Sequence, residues 1–144
     1  TFLDLYAGVG NFSVPLALAG LSGTAIELER TATAALREAL REQSLDAVKV
    51  VEGDVATTLA KQAPAAGVEL ALLDPPRTGA KAALEPLLRL APRAMAYVAC
   101  DPVTLARDLK VLLGRGYVLG DVTCFDMFPQ THHVETLVWL AKGA

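Results

Sequence analysis

Short apolar runs alternate with helix-length stretches along nearly the whole chain, and that alternation limits the fold more than any other feature. The strand-like runs are Phe2 to Tyr6, Gly23 to Leu28, Val48 to Val51, Val68 to Leu73, Ala94 to Ala99, Tyr117 to Phe125 and Val134 to Ala141. Between them lie helical stretches near Asn11 to Ala19, Arg30 to Gln43, Val55 to Gln62, Ala80 to Leu90 and Pro102 to Leu113. Strand and helix in turn predict an α/β fold, a doubly wound and mostly parallel sheet with helices on its faces. The last two runs break the rule, because only Asp126 to His133 separates them. A parallel crossover needs a dozen or more residues, so the final strand is expected to run antiparallel. Such a strand starts at the edge where parallel strands finish, which puts His133 to Glu135 on the side where Cys100 emerges.

Composition agrees with a sheet buried on both faces. Of 144 residues, 53% are hydrophobic and 20% charged, which excludes a disordered chain and fits a single domain over residues 1–144. The net charge of −3 argues against a dedicated nucleic-acid surface, so any RNA affinity is local or comes from elsewhere in a larger protein. Cys100 and Cys124 form no Cys-x-x-Cys pair, which speaks against a disulfide framework and for a reducing, cytoplasmic setting. No apolar stretch reaches membrane-spanning length and the amino terminus is not signal-like. The chain opens directly on a strand, which suggests a C-terminal fragment of something longer.

Chemistry-bearing residues gather at the ends of successive strand-like runs. The first run feeds Tyr6-Ala7-Gly8-Val9-Gly10-Asn11, a Gly-x-Gly turn that lets backbone N–H groups approach a ligand closely. A tight strand-to-helix turn with Asn11 as helix cap is the alternative. Glu27 ends the second run about 20 positions after Gly8, the spacing at which an acid accepts from ribose hydroxyls. Asp54 follows the third run, either capping the next helix or meeting an adenine amino group. Asp74-Pro75-Pro76 closes the fourth, where two prolines hold Asp74 in a rigid loop or simply terminate a strand. Cys100 closes the fifth, just before Asp101-Pro102, and open α/β sheets bind ligands at that carboxyl edge. In the helix that follows, Leu105, Leu109, Leu112 and Leu113 form the apolar stripe with Arg107, Asp108 and Lys110 off it, and Gly114 and Gly116 end it.

Four stretches, Asp4 to Phe12, Leu73 to Gly79, Tyr97 to Leu109 and Asp126 to Glu135, together resemble the catalytic domain of the S-adenosylmethionine-dependent RNA uracil-5-methyltransferases of ribosomal and transfer RNA. The resemblance runs over essentially the whole chain. It implies a class I methyltransferase sheet, Rossmann-like, with S-adenosyl-L-methionine as cofactor and structured RNA as substrate. It further implies that Tyr6, Asn11, Glu27 and Asp74 touch the cofactor, with Cys100 as nucleophile and Glu135 as base; Gly8 and Asp54 join the cofactor set from their positions at the sheet edge. Those residue types suit the chemistry. A thiolate added at carbon 6 of uracil makes carbon 5 nucleophilic, and a carboxylate then removes the carbon 5 proton.

The chain also departs from its relatives. Asp101 stands where most have Asn, beside the thiol, where like charge disfavours a thiolate unless Asp101 is paired. Ala7 replaces a common cysteine, a neutral change. An upstream glutamine and RNA-binding domains of the relatives, some with an iron–sulfur site, have no counterpart in these residues, so this chain alone is expected to bind cofactor weakly and methylate RNA poorly. Cys124 reads as core; Leu137 and Trp139 alternate with Val138 and Leu140 as packing requires. His132 and His133 either assist the base, contact phosphate or pack the loop, and Arg77 and Arg107 either meet phosphate or sit solvated. Zinc is disfavoured because ligand-pair spacing is lacking. Two other functions compete with uridine methylation: methylation of an exocyclic base amine at the Asp-Pro-Pro tip, and a nonenzymatic adenosyl-binding module.

Overall fold

The computed structural model of the chain describes residues 1–61, 67–127, 130 and 134–143. In chain order the elements are β1 (Phe2–Leu5), α1 (Ser13–Leu18), β2 (Gly23–Glu27), α2 (Arg30–Glu42), β3 (Val48–Glu52), α3 (Val55–Lys61), β4 (Leu70–Leu73), α4 (Lys81–Leu90), β5 (Ala94–Ala99), α5 (Pro102–Leu113), β6 (Tyr117–Phe125) and β7 (Glu135–Lys142). The described strands form one sheet in the order β3-β2-β1-β4-β5-β7-β6. β1 to β5 pair in parallel, and β7 runs antiparallel to both β5 and β6, as the short connection before it requires. The order reverses between β1 and β4, which opens a crevice at the carboxyl edge.

Alternating side chains along each strand divide the core in two. One layer joins Leu3, Leu5, Ile26, Leu73, Met95, Tyr97, Val138 and Leu140 to the apolar stripes of α3, α4 and α5. The other joins Phe2, Ala25, Val48, Leu72 and Ala96 to Ala17 of α1 and to Leu36 and Leu40 of α2. No described helix is long and apolar enough to cross a membrane.

Three residues depart from expectation. Cys124 is exposed rather than core, because β6 is an edge strand and, after Tyr117, every residue of it is exposed. Asp108 is fully buried rather than off the packed stripe of α5, at a position four before Leu112 and three after Leu105 that faces the sheet. Asn11 does not cap α1; Phe12 occupies that position and no side chain caps it. Gln62, expected as the last residue of the third helix, and His132 and His133 lie outside the described residues.

Candidate active site at the carboxyl edge

The glycine turn is built by close approach. Gly10 has φ +97°, and a Cβ there would collide with Leu36 of α2, so only glycine allows α2 to pack over the turn. Gly8 has φ +55° and open space where a Cβ would stand, so the face of the loop is free for a ligand. Its N–H donates to Glu27 Oε2 at 2.8 Å, and the Glu29 N–H donates to Glu27 Oε1 at 2.7 Å. Each oxygen keeps a lone pair for a further donor, such as a sugar hydroxyl. Tyr6 holds the turn from below: its N–H and that of Ala7 both donate to the Ile26 carbonyl, at 3.0 and 3.1 Å. That grip keeps Tyr6 in the left-handed region, φ 65°, a strained backbone that the neighbouring structure must enforce. Burial, then the charges of Asp54 and Asp108, push the Tyr6 phenol up to about 12.

Beneath the turn lies an acid that the sequence did not single out. Asp4 is fully buried; Oδ2 accepts from Ser13 Oγ at 2.6 Å, and Oδ1 has no hydrogen-bond partner among the described residues. Burial is the main cause that pushes its pKa up to about 6, and the charges of Asp74 and Glu27 push the same way against the Ser13 hydrogen bonds. A clue was available: an Asp between Leu3 and Leu5 in a strand with no polar neighbour needs a partner or a task. Asp54 accepts from the Thr57 N–H at 2.8 Å, so it caps α3, and hydrogen bonding from the Thr57 side chain, then from its N–H, holds the carboxyl below the usual range.

A cleft of about 600 Å³ adjoins the turn, lined by Asn11, Phe12, Asp74, Val98, Phe125, Met127, Glu135 and Leu137. Strand register explains why these meet. Val98 lies opposite Leu137 and Ala99 opposite Thr136, so period two carries the Val98 face on to Cys100 and the Leu137 face on to Glu135. Continuing the ladder by one pair sets Cys100 across from Glu135. The thiol is free and half-buried, one residue past β5. Asp74 is open to solvent at the mouth, yet partial loss of water raises its pKa, and the nearby Glu135 charge raises it further. Thus Asn11, Asp74 and Glu135 line one cleft, Cys100 lies two residues beyond its Val98, and Tyr6, Gly8, Glu27 and Asp54 surround the neighbouring turn.

Asp101 is not left beside the thiol as a bare carboxylate. Its Oδ1 accepts from the Thr104 N–H at 2.8 Å as the N-cap of α5, with Pro102 in the first turn. The Thr104 N–H holds the Asp101 carboxyl below its usual range, with a smaller contribution from Arg77. Arg107, read as either meeting phosphate or sitting solvated, is exposed and also pairs with the buried Asp108, at 2.7 Å. Among the described residues no group of three or more His, Cys, Asp and Glu is placed to hold a metal ion.

Comparison with known proteins agrees with this geometry. The chain is 42% identical over 135 residues to the 23S rRNA (uracil(1939)-C(5))-methyltransferase RlmD of Shewanella sediminis, covering 94% of this chain and 30% of that protein. It is 41% identical over 142 residues to RlmD of Marinomonas posidonica, covering 99% and 32%. The chain therefore spans about a third of the length of the curated relatives it matches. Among solved structures, the Pyrococcus abyssi tRNA (uracil-54, C5)-methyltransferase in complex with S-adenosyl-L-homocysteine superposes with a TM-score of 0.84 at 30% identity, over 97% of this chain and 34% of that one. The family model described as tRNA (uracil-5-)-methyltransferase matches residues 1–143, end to end with the sheet and its cleft, and the chain belongs to that family.

Proposed function

We propose that this chain is the catalytic domain of an enzyme that transfers a methyl group from S-adenosyl-L-methionine to carbon 5 of a uridine in ribosomal or transfer RNA, in the cytoplasm, with RNA recognition supplied largely by other parts of the protein. The observation that carries the proposal is the β5–β7 register, which pairs Val98 with Leu137 and Ala99 with Thr136 and, continued by one pair, would set Cys100 opposite Glu135 of the cleft. The residues fit the cofactor. The open face over Gly8 and the half-used Glu27 carboxylate suit a nucleoside. Tyr6, Asn11, Asp54 and Asp74 complete the set that would hold it. When bound, S-adenosylmethionine supplies an electrophilic methyl group for carbon 5.

The protein's part in the reaction follows from its residues. The Cys100 thiolate adds to carbon 6 of the uracil, and the displaced electron pair moves through carbon 5 onto the carbonyl oxygen at carbon 4. Once carbon 5 is methylated, Glu135 takes the proton that carbon 5 still carries. The electrons of that C–H bond form the 5,6 double bond as the C6–S bond breaks, which restores the thiolate. The cap on Asp101 keeps that carboxylate occupied beside the thiol. The base must leave its stack to enter the cleft, as for other enzymes that act on a nucleobase.

The test is a covalent trap. RNA carrying 5-fluorouridine has no proton for Glu135 to remove, so the protein as encoded should form a denaturation-resistant adduct with it, and Cys100→Ala should form none. Methyl transfer should fall by at least about 10³-fold in Cys100→Ala. Methylation retained in that variant would overturn the mechanism and favour transfer to an exocyclic amine, which needs no thiol.

A further inference from the structure

We propose that Arg107 and Asp108 are positioning residues: with Thr104 they clamp the loop of residues 75–80 to the first two turns of α5, and so fix where Cys100, between β5 and α5, stands relative to the loop that follows Asp74. The inference rests on the uridine reading above and adds residues that touch neither cofactor nor base.

Thr104, Arg107 and Asp108 lie at i, i+3 and i+4, on one face of α5. From that face Thr104 Oγ1 donates to the Arg77 carbonyl at 3.1 Å and Arg107 Nη2 to the Thr78 carbonyl at 2.9 Å. Asp108 Oδ2 accepts from the Ala80 N–H at 2.7 Å and from the Tyr97 hydroxyl at 2.7 Å. Its Oδ1 accepts from Arg107 Nε at 2.8 Å. Gly79 passes so near that a Cβ would lie 2.5 Å from Arg107 Nη2 and 2.6 Å from Asp108 Oδ2. Tyr97 is three residues before Cys100 on β5, and Asp101 caps α5 just after it. One buried carboxylate therefore ties together the strand before the thiol, the helix after it and the loop that follows Asp74.

The cofactor side is held by other means. Asp74 begins the loop but is anchored to the sheet, its N–H donating to the Leu5 carbonyl at 3.3 Å. Loosening the clamp thus frees residues 75–80 against α5 while leaving Asp74 and Glu27 where they are. Stability alone is a poor reason for the device, since a buried ion pair stabilises little more than an apolar pair of equal volume would. Its product is a fixed distance, and misplacement by about 1 Å costs on the order of 10²-fold in rate.

The test compares Arg107→Lys, which keeps the charge but loses the forked geometry, and Thr104→Val with the unaltered protein as encoded. The readouts are kcat and KM for RNA methylation, S-adenosyl-L-homocysteine affinity by calorimetry, and the thermal midpoint. Arg107→Lys should lower kcat about 10- to 100-fold, with cofactor-product affinity and RNA KM within about 2-fold of the unaltered protein. Thr104→Val should lower kcat in the same way by a smaller factor, and both variants should form the 5-fluorouridine adduct more slowly. Unchanged kcat in the folded variants overturns the clamp, as does a kcat loss matched by equal loss of cofactor-product affinity or explained by unfolding. If Arg107→Lys does not fold, Thr104→Val decides by the same readouts. An unaltered protein without uridine methylation overturns the underlying reading and the clamp with it; an active protein with indifferent variants removes the clamp alone.

Discussion

The two faces of the sheet are made differently. On one, α3, α4 and α5 cover β1, β4 and β5 and bury Leu84, Leu87, Met95, Tyr97 and Leu112 to 1% exposure or less. On the other, α1 and α2 pack over β1 to β3, while the face of β5 and β7 carries a cleft and leaves Trp139, opposite Ala96, 41% exposed. Polar groups follow the same division. Asp108 on the sealed face has both carboxylate oxygens satisfied, whereas Asp4, Asp74 and Glu135 on the open face crowd like charges together. The sealed face stabilises the domain and sets its geometry. The open face holds strained and mutually repelling groups of the kind chemistry uses.

Substitutions on each face should therefore be felt in different measurements. The largest effect is expected from Glu135→Gln on the open face, which should slow turnover by about 10²- to 10⁴-fold by blocking elimination and let the methylated RNA adduct accumulate on Cys100, with unfolding in denaturant hardly changed. Next comes Leu87→Ala on the sealed face, a fully buried site. It should cost about 2–5 kcal/mol in denaturant unfolding and leave per-molecule activity intact in the folded fraction. If Leu87→Ala proved harmless to stability, the contrast between the faces would collapse.

Asp4 gives a smaller effect with a defined sign. Its folded pKa, about 6, lies above that of an unfolded aspartate. The folded state therefore holds the proton more tightly, and the contribution of Asp4 to stability is complete below about pH 4 and lost as pH rises through about 6. Glu38, Asp54, Glu69 and Asp101, held below the usual range by hydrogen bonds, act in the opposite sense. The measurement is thus the stability difference between the unaltered protein and Asp4→Asn, which should change across that window by on the order of 2 kcal/mol in favour of Asn at the higher pH. A difference independent of pH would show that Asp4 is ionised throughout. The smallest effect belongs to Trp139→Ser, which should shift stability by about 0.5 kcal/mol or less, as expected for a half-exposed side chain on an uncovered face.

Much of the fold was legible because period and connection length are local signals. Ala94 to Ala99, Pro102 to Leu113 and Tyr117 to Phe125 have the same limits in the sequence reading and in the structure, and the reversal of the last strand follows from a connection too short to cross the sheet. Position in the sheet is not local, and there the reading failed. Cys124 has a strand-like neighbourhood, but nothing in it says that β6 lies at an edge. Asp108 carries a charge that periodicity assigns to solvent; its burial depends on Tyr97 and Ala80, which come from other elements. The ends of the strands were legible as a set, Glu27, Asp54, Asp74 and Cys100. The cap that Asp54 makes was one of its two readings in the sequence, whereas the capping bond of Asp101 needed backbone geometry to be seen.

The position of β7 also bears on how the protein is made. Residues from 135 onward leave the ribosome after every other strand, yet they fill the slot between β5 and β6. Until they arrive, both of those neighbours present unpaired edges, and the acid of the cleft does not yet exist. A nascent or truncated chain ending earlier thus carries Cys100 without Glu135, and it is marked by open edges for chaperones or proteases to find.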